Sequence, residues 1–599
     1  MNTKVKFDLS KLKGKLRTMR IWLEEKHIPP GILFIIMGIA SSVWFLIRVI
    51  PKPSRATYPC IQVAAPIMSG FIIYLLSLGG ITFLLRKTWR NLIRAKYLAA
   101  AGLLISSVII LIINLATDSS VTYAAYTGGP FGPEDGANMP MGKPLGLNPG
   151  RVIWAWNPDA TNENCKNVIE NNDWYFNTVN ADQKVINNMV SESILKITGK
   201  SNLKQAWDGL FRYQNQKKNK KNEGYTAGEK IFIKINQGTA SWALSQEDKD
   251  KGYFVPTYPI KPGARSRSNG ALETSPYVVL EILRELINEA GVKPSDISVG
   301  DPMAHIFGHN FTAWHNEFPD VKYIDKFADK FDRTLIKVTE DTLLFYSDKK
   351  IKDKLYDVIE NADYMINVAS LKPHGSAGVS LTAKNHFGSQ ARRGASHLHY
   401  SSIAPTWETS PREVGNPSNG GYKKYRVMVD LLGSRYLGQN TMLYIVDGLF
   451  GGGADETKGP VKYFMAPFNN DWSNSIFSSQ DEVALESVCF DFLRSEWDGK
   501  NIHNKANNVC EWAPNMPGVD DYLHQSADSK NWPVGIVYDP DNSGKPLGSL
   551  GVHEHWNNPA DKQYSGNLGV KNGISLVSIP ENLVKSKEQL KKKKTRADS

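Results

Sequence analysis

Three long apolar runs near the N-terminus constrain this chain more than any other feature of its 599 residues. They span residues 31–50, 65–85 and 97–116, and each has about the 20 residues that a helix needs to cross a bilayer. None of the runs contains an acidic residue, and they lack the polar stripe of a helix that packs on a soluble core. The sequence therefore predicts a membrane anchor of three transmembrane helices within residues 1–116.

The distribution of basic residues predicts the orientation of this anchor. Residues 1–28 contain eight Lys and Arg and the loop 86–96 contains five, whereas the first loop contains only Lys52 and Arg55. The positive-inside rule places the N-terminus in the cytoplasm and everything after Thr117 on the opposite side. We therefore expect a protein of the cytoplasmic (inner) membrane, in contact with the lipid bilayer, whose large C-terminal domain is periplasmic or otherwise extracytoplasmic.

The net charge of +11 is concentrated at the two ends of the chain. Residues 1–116 carry +13 and the basic tail 585–599 carries +5, so the remaining residues are mildly acidic, at −7. Nucleic-acid binding requires a basic surface, and we do not expect a nucleic-acid partner. The tail is predicted to be disordered and solvated.

The four cysteines, Cys60, Cys165, Cys489 and Cys510, exclude several classes of site. No two have the spacing of a zinc or iron–sulfur motif, so we expect neither a zinc finger nor an iron–sulfur cluster. At most one disulfide can join two of the last three cysteines, and the favoured pair is Cys489 with Cys510.

The region after the predicted anchor divides into a linker and a folded domain. Residues 117–150 are rich in Gly and Pro and are predicted to form a linker. Across residues 151–584, strand-like and helix-like segments alternate, including a helix at 182–198 and an apolar strand at 441–448. This alternation predicts an α/β domain of unknown function with a mixed, mainly parallel sheet and helices on both faces.

Two local predictions concern the limits of elements. The pair Ser275–Pro276 predicts a helix start in which the Ser side chain caps the first turn, and Gly291 is expected to follow the end of this helix. From Val519 onward, the high content of Asp, Asn, Gly and Pro predicts an irregular region packed on the domain.

Polar residues follow several of the predicted strands, at the edge of the sheet where α/β proteins bind ligands. Asp301, Lys372, His374 and Lys384 are candidate catalytic residues. The candidate ligand-binding residues are Lys234, Asn236, Asn385, Asp447 and Gly448.

The side-chain types of this set suggest three kinds of chemistry. The three lysines are suited to neutralise a small anion such as a carboxylate or phosphate. The candidate ligands of a divalent metal are Asp301, His374 and Asp447, which are also suited to general acid–base catalysis. The alternative is that these lysines and aspartates pair as structural ion pairs at strand ends. The glycines 451–453 lack the residues of a P-loop and are expected to form a mobile loop.

Two pairs of histidines have spacings found in metal sites. His553 and His555 form an H-x-H pair. His305 and His309 have the i, i+4 spacing of the H-E-x-x-H motif, but Ile306 stands where that motif has its catalytic Glu.

The segment LKPHGSAGVSLTAKNHFGS at 371–389 resembles the signature of the bacterial domain-of-unknown-function family 362. The strand IFIKIN, the V-G-D strand end at 299–301, the D-G pair at 447–448 and the segment 478–493 also resemble this family. The likeness covers most of residues 151–569, and the opening and closing segments resemble a longer subgroup. It implies a fold and candidate sites, but no defined reaction.

The sequence departs from the family pattern in two respects. Many relatives have Asp at the position of Glu486, so the carboxylate here extends one methylene further. Many relatives also carry ferredoxin-type cysteine clusters, and this chain does not. The resemblance therefore does not imply iron–sulfur electron transfer.

These observations lead to two functional hypotheses. The first is a membrane-anchored envelope enzyme that acts on a small anionic substrate, with a divalent metal as an open option. The second is a non-catalytic ligand-binding or scaffold module at the cell envelope. The first predicts that the strand-end residues converge on one site, and the second predicts that they are scattered.

Overall fold

A computed structural model gives the fold of the C-terminal part of the chain. The described residues are 136–168, 173–218, 222–241, 245–250, 271–326, 331–348, 352–374, 377–391, 423–453, 459–496 and 516–584, together with the isolated positions 87 and 91. The chain divides into two compact units, Met1–Thr127 and Gly128–Ser599. The three predicted transmembrane runs and the basic tail lie outside the described residues. Within the described ranges, no helix has the length and apolar character to cross a membrane.

The second unit contains short strands and helices in alternation. The strands of its described residues are β1 (Met141–Gly142), β2 (Arg151–Trp156), β3 (Ile231–Ile235), β4 (Ile297–Gly300), β5 (Lys322–Asp325), β6 (Thr334–Leu335), β7 (Leu344–Phe345), β8 (Lys352–Asp353), β9 (Tyr364–Ser370), β10 (Pro373–His374), β11 (Gly378–Val379), β12 (Thr441–Gly448), β13 (Ser475–Ser479), β14 (Val552–His553) and β15 (Ser575–Ile579). The α-helices are α1 (Gln183–Thr198), α2 (Leu203–Lys217), α3 (Gln246–Asp250), α4 (Pro276–Arg284), α5 (Gly308–His315), α6 (Asp357–Glu360), α7 (Thr382–Asn385), α8 (Val427–Gly433), α9 (Glu482–Glu496) and α10 (Met516–Ala527).

Nine of these strands form one twisted central sheet in the order β15-β2-β13-β12-β9-β3-β4-β5-β6. Neighbouring strands are parallel, except that β13 is antiparallel to both β2 and β12. Strand β12 is buried along its whole length, as expected for an apolar strand covered on both faces. The predicted mixed, mainly parallel sheet is confirmed.

Helices cover both faces of this sheet, as predicted. On one face, α1, α2, α4 and α5 contribute Ile186, Trp207, Ile282 and Trp314 to a continuous apolar cluster. On the other face, α8, α9 and α10 contribute residues such as Leu431 and Phe492 to a second cluster. Alternate side chains of a strand point to opposite faces, so a strand such as β2 contributes Trp154 to one core and Ile153 to the other.

The Ser275–Pro276 pair begins α4, but the serine does not cap the helix in the predicted way. Ser275 has an extended backbone and makes no side-chain capping bond. Its hydroxyl instead donates to Asp447 Oδ2, 2.6 Å away. The helix continues through a wider turn, Glu285–Glu289, and the chain then reverses at Gly291, whose φ of 72° suits a residue without a side chain.

The prediction of an irregular region after Val519 is wrong in two places. Helix α10 forms because Val519, Tyr522 and Leu523 bury one face against the core. Strand β15 forms because β2 offers a parallel partner at the edge of the central sheet. Residues 136–150, predicted as part of a linker, also contact the domain, since β1 pairs with β14.

Two smaller expectations are also corrected. Cys489 is buried and free, so the favoured disulfide with Cys510 is wrong; Cys510 lies outside the described residues. The glycines 451–453 are buried, and the Gly452 amide donates to the Leu371 carbonyl at 2.8 Å. A Cβ atom at Gly452 would lie 2.5 Å from Lys372 Cβ, so this glycine permits close packing and is not part of a mobile loop.

Candidate functional site

The candidate site lies where the connections of the central sheet diverge. Strand β3 leads through α4, on one face, to β4. Its neighbour β9 leads through α7 and α8, on the other face, to β12. The chain therefore leaves β3 and β9 in opposite directions, and α/β proteins bind ligands at the carboxyl ends of strands that diverge in this way; we call this region the strand-end crevice. The predicted site residues follow these strands and their neighbours β4 and β12.

A buried ion pair occupies the base of this crevice. Lys234 Nζ lies 3.1 Å from Asp301 Oδ1 and donates to Asn385 Oδ1 at 2.9 Å, and both charged side chains are almost fully buried. Burial lowers the pKa of Lys234, whereas Asp301 acts to raise it. A Cβ atom at Gly388 would lie 2.2 Å from Asp301 Oδ1, so the backbone of residue 388 closes over the pair.

A chain of side-chain amides holds Asn385 in place. The Asn385 amide nitrogen donates to Asn367 Oδ1 at 2.8 Å, and the Asn367 amide nitrogen lies 3.1 Å from His386 Nε2. Burial, with the charge of Lys234, lowers the pKa of His386 to about 3, so its imidazole is neutral. Asn385, at the end of α7, is therefore oriented by β9 through Asn367 and by β3 through Lys234.

A second buried ion pair joins Lys372 to Glu273. Lys372 Nζ is 3.0 Å from Glu273 Oε2, and it also donates to the Leu272 carbonyl. The other carboxylate oxygen of Glu273 accepts from the Thr239 amide at 2.7 Å. These contacts fix the lysine that follows β9 to the segment that precedes α4.

Asp447, at the end of β12, joins that strand to α4. Its Oδ2 accepts from the Ser275 amide at 2.9 Å as well as from the Ser275 hydroxyl, and its Oδ1 accepts from the Leu449 amide at 3.2 Å. Burial raises the pKa of Asp447, and these hydrogen bonds oppose that rise. Gly448 allows Leu371 to approach, since a Cβ there would meet Leu371 Cδ2 at 3.0 Å. Asp447 and Gly448 therefore both have a structural role in these contacts.

The remaining predicted residues are Asn236, His374 and Lys384. Asn236 and Lys384 are partly exposed, whereas the other predicted site residues are buried. His374 Nδ1 accepts from the Ala377 amide at 3.1 Å. Burial, and then the positive charges of Lys384 and Lys372, hold the pKa of His374 well below its usual value. Three basic side chains therefore lie within electrostatic range of one another.

The structure does not assemble the predicted metal ligands Asp301, His374 and Asp447. Asp301 pairs with Lys234, and both oxygens of Asp447 accept hydrogen bonds from the start of α4 and from the backbone after β12. Within the described part of the chain, the three metal-ligand side chains that do cluster are Asp520, His553 and His555.

His305 and His309, the pair with i, i+4 spacing, also make contacts of other kinds. His305 Nδ1 lies 2.7 Å from Asp325 Oδ1. The His309 ring packs between aromatic rings, with its centroid 3.7 Å from that of Phe176 and 5.4 Å from that of Phe307. The pair therefore does not resemble a metalloprotease site, in agreement with the missing Glu.

Sequence reasoning missed the partners of the predicted lysines. Asn367 had a usable signal, because it is a polar residue inside an otherwise apolar strand and therefore needs a buried hydrogen-bond partner. Glu273 had no such signal in the sequence, since it precedes α4 in a segment without helical or strand periodicity. Gly388 was part of the quoted family signature, but its contact with the ion pair depends on tertiary structure.

An open cavity of 370 Å³ lies elsewhere on the molecule. It is formed at the ends of β2 and β15 against α1, and its lining includes Trp156, Met189 and Ile579. None of the predicted site residues lines it. Its mostly apolar walls do not offer the basic groups that the strand-end crevice provides.

Together these features define an α/β protein with a buried, charged cluster at a switch point of its sheet. Residues 259–491 match the family described as domain of unknown function (DUF362), and this match supports the resemblance seen in the sequence. The match includes Asp301, Lys372, His374, Lys384 and Asp447. Comparison with curated proteins gave no match, and comparison with solved structures gave none either.

Proposed function

We propose that the strand-end crevice is the active site of an enzyme that acts on a small anionic substrate. The observation that carries the proposal is the concentration of Lys372, His374 and Lys384 at the switch point of the sheet, where the two lysines both act on the pKa of the histidine. A crevice lined by basic groups raises the local concentration of anions and so favours an anionic ligand. Perturbed titratable groups in such a crevice are typical of functional sites.

The hydrogen bonds suggest a role for each basic side chain. His374 Nδ1 is an acceptor, so the neutral ring carries its proton on Nε2 and acts as a hydrogen-bond donor. Lys372 is held by its ion pair with Glu273 and adds positive charge near His374. Lys384 is partly exposed and carries the direct contact with the substrate. Donors held in this way stabilise negative charge that develops during a reaction.

Substitution of Lys384 tests the proposal. The full chain, Lys384→Met and Lys384→Arg are screened by thermal shift and calorimetry against inorganic phosphate, phosphate monoesters and di- and tricarboxylates. We expect Lys384→Met to weaken binding of the active probe by tenfold or more, with an unchanged unfolding temperature without probe. Lys384→Arg keeps the charge and should retain part of the affinity.

The matched control is Lys545→Met, which removes an exposed lysine outside the crevice. Equal loss of binding in Lys545→Met and Lys384→Met would contradict the proposal, because it would show that binding depends on the net charge of the protein and not on a contact in the crevice. Turnover of the bound probe distinguishes an enzyme from the alternative, a non-catalytic ligand-binding module at the envelope. Binding without turnover across the panel would favour that alternative.

We further propose that this domain is held at the outer surface of a cytoplasmic membrane by three N-terminal helices. The support is the length of the apolar runs and the unequal distribution of basic residues between their loops. The acidic balance of the rest of the chain agrees with a small-molecule substrate and disfavours nucleic acid.

A further inference from the structure

Three metal-ligand side chains meet beside α9, in the C-terminal segment of the domain. Asp520 comes from α10, His553 from β14, and His555 follows two residues later. One ligand atom from each lies within 4.8 Å of the others, and all three side chains are buried. The spacing of two places both imidazoles on the same side of an extended segment.

The hydrogen bonds of His553 fix which of its ring nitrogens is an acceptor. Its Nδ1 lies 2.8 Å from Ser487 Oγ, and the Ser487 hydroxyl donates its one proton to the Val483 carbonyl at 2.6 Å. The hydroxyl oxygen must therefore accept a proton from Nδ1. In the neutral ring this leaves the lone pair on Nε2, the form in which imidazole binds a metal.

His555 is oriented in the same way by a carboxylate. Its Nδ1 lies 2.7 Å from Asp491 Oδ1, and Asp491 also accepts from the Trp556 amide, the Tyr564 hydroxyl and Arg494. A carboxylate that accepts this many bonds is ionised, so His555 Nδ1 is the donor of the pair. The carboxylate–histidine arrangement is the usual outer support of a histidine metal ligand.

Asp520 supplies the third ligand. Its side chain is fully buried, yet neither carboxylate oxygen accepts a hydrogen bond from any described residue. Its one ionic contact within the described ranges is with His555 Nε2, 3.1 Å from Oδ1, the ring atom that carries the lone pair in the neutral form. Burying a carboxylate against an imidazole lone pair is unfavourable unless a cation lies between them.

We propose that Asp520, His553 and His555 bind a divalent first-row transition-metal ion such as Zn²⁺. Two imidazole nitrogens and one carboxylate oxygen suit such an ion, whereas Mg²⁺ and Ca²⁺ prefer oxygen ligands throughout. This set lies outside residues 259–491 and shares no residue with the strand-end crevice. The metal site therefore does not depend on the proposed enzyme activity.

A bound ion would join three elements of the C-terminal segment. It would connect α10 and β14 directly, and both to α9 through Ser487 and Asp491. His524 lies one turn after Asp520 on α10, with its ring centroid 4.9 Å from that of His553, and is positioned beside the proposed ion. The metal should therefore raise the thermal stability of the folded domain.

The first test measures metal in the protein. The full chain is purified without metal-affinity chromatography and analysed by inductively coupled plasma mass spectrometry. We expect about one equivalent of a first-row transition metal per chain, in keeping with a buried three-ligand site. Removal with a chelator should lower the unfolding temperature, and stoichiometric Zn²⁺, but not Mg²⁺, should restore it. Absence of bound metal together with no response to Zn²⁺ would overturn the proposal.

The second test uses variants of the ligands and their support. Asp520→Asn and His553→Asn should lose the metal, and Ser487→Ala should bind Zn²⁺ roughly tenfold more weakly because it leaves the ligands in place. The matched control is His305→Asn, which removes another buried histidine paired with a carboxylate and should keep one equivalent. Metal content in Asp520→Asn equal to that of the unmodified chain would indicate an adventitious ion only, and would overturn the assignment.

If a ligand variant does not fold, cobalt gives an independent answer on the unmodified chain. Co²⁺ bound through two imidazoles and a carboxylate should produce visible ligand-field absorption that one equivalent of Zn²⁺ abolishes. No such absorption after Co²⁺ loading of the metal-free chain would count against the site.

Discussion

The three lysines of the strand-end crevice, chemically alike in the sequence, have different capacities in the structure. Lys234 Nζ donates to the Ile235 carbonyl at 2.6 Å and to Asn385 Oδ1 at 2.9 Å, and it lies 3.1 Å from Asp301 Oδ1. It is fully buried among these oxygens and therefore acts as a fixed support. Lys372 is similarly held by Glu273. In the proposed site, the lysine that contacts the anionic ligand is therefore Lys384, the partly exposed member.

Residue types and strand ends were sufficient to predict that these lysines lie together, but not what each one does. The structural alternative, in which Lys and Asp form ion pairs at strand ends, describes Lys234 and Asp301. Lys372 pairs instead with Glu273, about 100 residues earlier in the chain, and no local pattern specifies such a partner. Pairing between distant segments is a property of the tertiary structure, so the sequence alone does not distinguish a supporting lysine from a ligand-binding one.

His309 offers a prediction about the dependence of stability on pH. Both ring nitrogens are buried without hydrogen-bond partners among the described residues, and burial lowers the pKa of His309 to about 3. A depressed pKa contributes stability above the unfolded pKa of about 6.5, and that contribution decreases as the pH falls toward 3. His309→Phe, which keeps the packing on Phe176 and Phe307, should remove this dependence.

Urea titrations of the full chain and of His309→Phe at pH 7.5 and pH 5 provide the measurement. At pH 7.5 the variant should already be somewhat more stable, because a phenyl ring buries no unsatisfied polar atoms. At pH 5 this advantage should grow by about 2 kcal/mol, since 1.5 pH units below the unfolded pKa correspond to that energy. The same difference at both pH values would show that His309 is accessible to solvent protons in the folded protein.

At the scale of whole elements, long periodic segments were predicted well and short or unusual ones were not. The helix at 182–198 and the strand at 441–448 match α1 and β12 closely, because each carries an apolar pattern that is strong by itself. Strand β15 has five residues and exists because β2 is beside it. Helix α10 contains Pro517 and Gly518 in its first turn, which hid its amphipathic face among turn-forming residues.

Helix α9 supports α7, the helix that carries Lys384, the lysine proposed to contact the ligand. Glu486 Oε1 accepts from the Thr382 hydroxyl at 2.8 Å and from the Ala383 amide at 2.7 Å, while Oε2 accepts from Tyr522. Glu486→Gln replaces one of these acceptor oxygens by a donor, so it should destabilise the protein by about 1–3 kcal/mol. The start of α7 should also open more often, and the affinity of the crevice for its anionic probe should fall.

Hydrogen exchange of peptides that cover residues 381–390 measures this effect, with Tyr522→Phe as the matched control. That control removes only the phenolic donor and leaves both contacts of Oε1 with α7. Protection should fall in Glu486→Gln and remain close to normal in Tyr522→Phe. Equal protection of this peptide in the two variants would mean that α7 is held by its packing and not by the Glu486 carboxylate.

At the scale of the whole molecule, the sheet order explains why the basic groups meet. Parallel strands place their carboxyl ends on one edge, and the connections of β3 and β9 diverge at one point of that edge. The general location of the candidate site therefore followed from the α/β prediction. The position of the metal-ligand cluster did not follow from that prediction, because its ligands come from α10 and from the segment around β14, where no regular fold was predicted.

The orientation of the chain is the prediction that belongs to this largest scale. Eight basic residues precede the first apolar run and five lie in the loop 86–96, whereas the loop 51–64 carries two, and transferring the richer segments across a membrane is disfavoured. Alkaline phosphatase fused after residue 118 should therefore be active and fused after residue 92 inactive, with the reverse result for a cytoplasmic reporter. Protease added to intact spheroplasts should degrade the large domain. The pattern would be contradicted by a domain that survives in spheroplasts but is cleaved after lysis, because that result would place residues 136–584 in the cytoplasm.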